Sequence, residues 1–104
     1  MADFRIYQNR SATSDNYPFL VDVQSELLSA LETRLVIPLL KSKEIGTKSI
    51  KNLNPKVTVG GTEYLCMTQQ MAAVPKSILG NMVEMTEFSR SEILSSIDFL
   101  IAGI

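Results

Sequence analysis

Period-two alternation runs through most of this chain and then gives way to a helical period, and that switch restricts the fold more than any single motif. Phe4 to Asn9 alternates Phe4 and Ile6 with Arg5 and Tyr7. Tyr17 to Gln24 sets Phe19, Val21 and Val23 against Asp22 and Gln24, and Arg34 to Leu40 sends Leu35, Ile37 and Leu39 to one side. Alternation rich in β-branched and aromatic residues is the signature of a half-buried strand. The polar run Arg10 to Asn16 reads as a turn-rich loop. Pro38 points to an edge strand or a bulge, because proline has no N–H to give to a ladder. After Pro55, Val57 and Val59 lead to Gly60-Gly61 and a second run, Glu63 to Val74, with Leu65 and Met67 opposite Tyr64, Cys66 and Thr68. A Gly-Gly pair between alternating runs is a two-residue hairpin. At the C-terminus Ile93, Leu94, Ile97, Leu100, Ile101 and Ile104 form one helical stripe. Ser89 and Glu92 fit a capping box that starts this helix near Arg90.

A chain of 104 residues holds one core and hence one domain, residues 1–104. Its 45% hydrophobic and 20% charged residues fit a globular protein rather than a disordered one. Ten basic against eleven acidic residues gives a net charge of -1, which argues against a nucleic-acid binder driven by phosphate contacts. Histidine is absent, which removes Ser-His-Asp and Cys-His nucleophile systems, imidazole bases and histidine metal sites. Cys66 cannot form an internal disulfide, so a reducing, cytoplasmic setting is expected. With no basic sequence neighbour to lower its pKa, it reads as a small buried hydrophobe. No run approaches the roughly 18 apolar residues of a membrane span, and the N-terminus lacks a signal-peptide core.

Asp22, Glu26, Glu84, Glu87 and Glu92 read as surface charges and helix caps without an aromatic pocket or partner base. Gly60-Gly61 is too short to cradle phosphate. No catalytic residue, metal site or cofactor is expected, and binding is the default role. Two segments carry alternatives. The lysine-rich stretch with Lys41, Lys43, Lys48, Lys51 and Lys56 is either a solvated loop or a contact surface for an acidic partner. The apolar ending Phe99 to Ile104 either docks wholly on the sheet or offers its tip to another protein, since contiguous apolar patches mark interfaces.

The blocks Phe19-Leu-Val-Asp-Val-Gln-Ser25, Thr33-Arg-Leu-Val-Ile-Pro-Leu39, Met67-Thr-Gln-Gln-Met-Ala-Ala-Val-Pro75 and Gly103-Ile104 resemble the CcdB family in order and spacing over essentially the whole chain. These are toxins of toxin–antitoxin modules that poison DNA gyrase. The resemblance implies a mostly β (α+β) fold: an SH3-like antiparallel sheet core with a small second sheet and a C-terminal α-helix. It also implies a homodimer with both helix ends near the two-fold axis, through Leu100, Ile101, Ala102 and Gly103.

The dimer surface would enter the gyrase A subunit and trap the cleaved-DNA complex. Ser25, Leu27, Asp98, Ile101, Ala102, Gly103 and Ile104 would be its gyrase-binding residues. A CcdA-like antitoxin would cover overlapping surface, with Lys41, Lys43, Lys48 and Lys51 as candidate contacts. Operator DNA would be bound for transcription regulation only together with the antitoxin, as in plasmid maintenance. Ala102 stands where the best-known member has a tryptophan stacked on a gyrase arginine, so a cation–π contact of about 0.5–2 kcal/mol is missing. The competing classes are a gyrase poison, a non-toxic interaction module of the same fold that binds antitoxin, and a small enzyme, which the missing histidine disfavours.

Overall fold

The computed structural model describes residues 4–45, 49–84 and 90–103, with the side chains of Glu26 and Ile45 left aside. Ser89, Lys48, Glu87 and Ile104, which the sequence singled out, lie outside the described residues. The elements run β1 (Arg5–Asn9), β2 (Phe19–Asp22), a 3-10 turn (Glu26–Leu28), β3 (Thr33–Lys41), α1 (Ser42–Ile45), β4 (Lys56–Val59), β5 (Thr62–Cys66), a 3-10 turn (Thr68–Gln70), β6 (Ala72–Pro75), a 3-10 turn (Lys76–Ile78), β7 (Leu79–Val83) and α2 (Arg90–Ala102). The fold is mostly β. Among the described residues the seven strands are antiparallel and hydrogen-bonded into one network, in the order β4-β5-β3-β2-β1-β7, with β6 also on β3. The smaller second part is the β4–β5 hairpin, joined to the main sheet through the end of β3.

The hairpin forms as expected. Val59 pairs with Thr62, and Gly60 and Gly61 both take positive φ, 56° and 81°. A two-residue turn of that kind needs left-handed backbone at both positions, which glycine adopts without steric cost.

Two expectations are corrected. Pro38 is not on an edge: β3 is the central strand, paired with β2 along one side and with β6 and β5 along the other. Pairing with β6 covers Thr33 to Val36 and pairing with β5 begins at Leu39, so Pro38 sits in the gap. Its carbonyl faces that side and accepts from Met67 N–H at 2.9 Å. The N–H and C=O of a strand residue point to the same edge, so the donor that proline lacks is missing where no strand needs it. Likewise the expected run Glu63 to Val74 is two strands. Thr68 to Gln70 makes a 3-10 turn between them, which lets one strand supply partners to both halves of β3.

The main core lies on one face of the sheet. Ile6, Val21, Ile37, Leu39, Val57 and Cys66 are fully buried there, joined by Phe4, Val59 and Tyr64, and Phe19 meets Tyr64 edge-to-face at 5.4 Å. Helix α2 closes this face with Ile93, and Ile97 packs partly against it. Leu65 and Met67 point the other way, into a small cluster with Tyr17 and Leu40, as the alternation requires.

A buried polar bond pins the helix. Ser96 Oγ donates to Ile93 O at 2.7 Å, which leaves Thr68 Oγ1 to donate to Ser96 Oγ across 2.9 Å. Both side chains are fully buried, so each hydroxyl depends on the other. Ser96→Ala strands the Thr68 hydroxyl and is expected to lower stability by about 1–3 kcal/mol in urea titration. Adding Thr68→Val removes the stranded group and is expected to recover much of that loss. Simple additivity of the two changes would show that the hydroxyls do not act as a pair.

Candidate functional site

The second face of the sheet carries the alternate residues: Arg5 and Tyr7 of β1, Leu20 and Asp22 of β2, Arg34, Val36 and Pro38 of β3. The sequence treats Asp22 as a surface charge. The structure corrects this: Asp22 Oδ2 and Arg34 Nε lie 2.8 Å apart with side chains 8% and 7% exposed. The segment from β6 to β7 is the reason. It pairs with β3 at Thr33 to Val36 and then with β1 at Asn9 to Ile6, so it crosses over the second face and covers it. Asp22 Oδ1 also accepts from Gln24 N–H at 3.0 Å, and Gln24 Oε1 accepts from Leu35 N–H at 2.9 Å. The buried pair therefore holds the turn that follows β2.

That turn is the first exposed site segment. Ser25 caps it: its Oγ accepts from Leu27 N–H at 3.2 Å and its carbonyl from Leu28 N–H at 3.0 Å. This local cap pushes apolar side chains outward. Leu27 is 92% exposed, and Leu28 and Leu31 are about half exposed.

The second segment is the C-terminal half of α2. Among the described residues of the predicted stripe only Ile93 is fully buried; Leu94, Leu100 and Ile101 are exposed, Ile101 at 76%. Asp98, Ala102 and Gly103 are exposed as well, and Phe99 is half-buried. Gly103 ends the helix with φ 72° while its N–H donates to Phe99 O at 2.8 Å, a left-handed cap. The expectation that part of the stripe docks while the tip stays outside matches this arrangement. Val23, two residues before Ser25, and Ile97 pack on the same core cluster, so both exposed segments leave the same face of the sheet.

In the lysine stretch, Lys41 has acidic neighbours. Lys41 ends β3, half-buried, in a cavity of about 210 Å³ that it shares with Asp15, Glu44 and Tyr64. Burial, and then the nearby Glu44 carboxylate, raise the Tyr64 phenol above its ordinary 10.0. Lys43 in α1 and Lys51 in the following turn are exposed.

A cavity of about 360 Å³ is lined by Asn52, Asn54, Pro55 and the α2 residues Ser91, Glu92, Ser95 and Phe99. Among the described residues no group of three His, Cys, Asp or Glu side chains is placed to hold a metal ion. Burial pushes the Cys66 thiol up to about 12, the reverse of what activates a nucleophile. Among the described residues no helix is long and apolar enough to cross a membrane.

Set against known protein families, the sequence matches CcdB, described as CcdB protein, over residues 3–103. The chain belongs to the CcdB family. Membership points to the toxin of a toxin–antitoxin module. Of the residues that the CcdB resemblance singles out for gyrase binding and the dimer, the exposed described ones fall in two places, Leu27 on the turn after β2 and Asp98, Leu100, Ile101, Ala102 and Gly103 at the end of α2, with Ser25 half-buried as the cap of that turn. Leu28 and Leu31 were not singled out. Their signal was the apolar pair on a segment too short to bury both.

Cys66 gives a prediction with a definite sign. The unfolded thiol ionises near its ordinary 9.0, whereas the native one stays protonated to about 12. The native state therefore keeps this contribution below pH 9 and loses it as pH rises through 12. Between pH 9 and 10.5 the wild type is expected to lose stability more steeply than Cys66→Ala, by roughly 1.4 kcal/mol per pH unit. Parallel curves in urea titrations would show that the thiol ionises alike in both states.

Proposed function

We propose that this protein is the toxin of a toxin–antitoxin module and acts by binding, not catalysis. In this proposal it binds the DNA gyrase A subunit and traps the complex of gyrase with cleaved DNA, and a CcdA-like antitoxin neutralises it. The observation that carries the reading is the unburied apolar end of α2. Leu100 and Ile101 sit outside the core although a helix of this length could have turned them inward, and Gly103 directs the chain away from the helix axis. Exposed apolar side chains at a helix tip cost solubility unless a partner covers them.

The first partner is a second copy. Two tips meeting at a two-fold axis would join Leu100, Ile101, Ala102 and Gly103 of each subunit into one surface, flanked by Ser25, Leu27, Asp98 and Ile104 as the gyrase contact. Lys41, Lys43, Lys48 and Lys51 steer an acidic antitoxin towards the toxin, raising its association rate more than its final affinity. DNA is then met only through the antitoxin, at the operator.

A second reading has one specific observation in its favour. Ala102 is exposed on the tip and offers no aromatic face, so gyrase would lose a stacking contact there. In that reading the chain binds antitoxin but poisons gyrase weakly.

Two measurements separate these outcomes. Sedimentation at micromolar concentration is expected to give a dimer, and a monomer would remove the symmetric surface on which gyrase binding rests. Deleting Gly103 and Ile104 is expected to abolish growth arrest and gyrase-dependent DNA cleavage while the thermal midpoint stays within a few degrees. Full toxicity of the truncated chain would place the gyrase contact elsewhere, and an inactive parent chain would favour the second reading.

A further inference from the structure

The segment between β2 and β3 carries three exposed leucines, Leu27, Leu28 and Leu31, on a single short turn. A connector of this kind, left to itself, would fold its leucines inward or sample many backbone shapes. The turn closes partly on its own bonds: besides the Ser25 cap, Leu31 N–H donates to Leu28 O at 3.1 Å. Two side chains then fasten it to the rest of the molecule.

Gln24 is a bridge. Its Nε2 donates to Leu28 O at 3.2 Å while its Oε1 accepts from Leu35 N–H at 2.9 Å, so one amide group ties the middle of the turn to the paired part of β3. The bridge starts from a fixed point, because the Gln24 main chain is held by the buried ion pair. Its N–H donates to Asp22 Oδ1 at 3.0 Å and its carbonyl accepts from Arg34 Nη2 at 3.4 Å. Lys76, from the 3-10 turn between β6 and β7, holds the other end. Its Nζ donates to Ser29 O and its N–H to Glu32 O at 3.0 Å. Gln24 and Lys76 therefore grip consecutive carbonyls, those of Leu28 and Ser29, and fix the backbone without burying the leucines.

We propose that Gln24 and Lys76 are positioning residues for the turn that carries Leu27, setting its binding shape before gyrase arrives. This rests on the gyrase reading above, in which Leu27 is a contact. A turn ordered beforehand loses little conformational freedom on association, so its apolar contacts are not offset by the ordering of its own backbone. A turn released from the two side chains would hold the competent shape for only a fraction of the time, and affinity falls by that fraction. Encounters that find the wrong shape are unproductive, so the loss appears mainly in the association rate.

The test uses the full chain: surface plasmon resonance against the DNA gyrase A subunit, and amide hydrogen exchange on the free protein. Gln24→Glu keeps an acceptor for Leu35 N–H and removes the donor to Leu28 O, and Lys76→Met keeps the aliphatic stem and removes the donor to Ser29 O. Each change is expected to speed exchange at the Leu28 and Leu31 amides and to slow association with gyrase A, while the thermal midpoint stays within a few degrees. Combined, they are expected to lower the affinity about tenfold. A merely structural role would lower the midpoint and leave the association rate of the folded fraction unchanged. Unchanged exchange or unchanged association in both single variants, with wild-type binding intact, overturns the positioning role and leaves the gyrase reading standing. Weakened binding by Gln24→Met alone, with Gln24→Glu equal to wild type, places the effect in the bond to β3 and also overturns it. Absence of any wild-type binding to gyrase A overturns both.

Discussion

Strand β3 is the constraint on which the rest depends, because it has to satisfy three partners with two edges. Nine residues supply one continuous edge to β2 and a divided edge to β6 and β5. The division works because Pro38 takes one donor out of the ladder where the two partners part, and Met67 N–H closes the gap on the proline carbonyl. An ordinary residue there would present an N–H to the break between strands, an unpaired donor in a nearly dry setting. The proline thus specifies where the hairpin ends and where the crossing segment begins.

From that branching follows a molecule with two covered faces. The first is closed by α2 through Ile93 and the Ser96–Thr68 bond, an arrangement in which the 3-10 turn dividing β5 from β6 also presents the docking hydroxyl. The second is closed by the β6–β7 crossing, which buries an ion pair where an open sheet would have shown solvated charges. Burying Asp22 and Arg34 together is not in itself stabilising, since desolvation offsets much of their attraction. Its effect is geometric: with Gln24 bonded to both the pair and β3, the turn at Ser25 has a fixed base.

What could be read from the sequence was whatever depends on neighbours along the chain. The three N-terminal strands, the Gly60-Gly61 turn, the helix from Arg90 and the burial of Cys66 all follow from period, turn chemistry or composition. The readings that failed depend on pairing between distant segments. Pro38 reads as an edge or bulge position because proline cannot donate to a ladder, and nothing local shows that β3 has two different partners along one side. Asp22 was placed in solvent because alternation predicts one wet face, and only the crossing of residues 72–79 makes that face a second interior. The same division holds for the site. The α2 tip was legible as an apolar helical run, whereas the base of the exposed turn at Leu27 joins Asp22 and Arg34 from two different strands.

The grip on α2 is uneven, and that has a kinetic consequence. Its fully buried anchors, Ile93 and Ser96, lie in the N-terminal half, with Ile97 partly buried just beyond them. Among the described residues the last turn adds to its backbone bonds and the Gly103 cap only the half-buried Phe99. Amide protons there report local fraying rather than global unfolding, so they exchange with solvent far sooner than those of the first half. A partner that seats the tip must quench that fraying, and the entropy lost in doing so weakens the complex it forms. A tip that is inexpensive to release is also one that a competitor can peel away turn by turn.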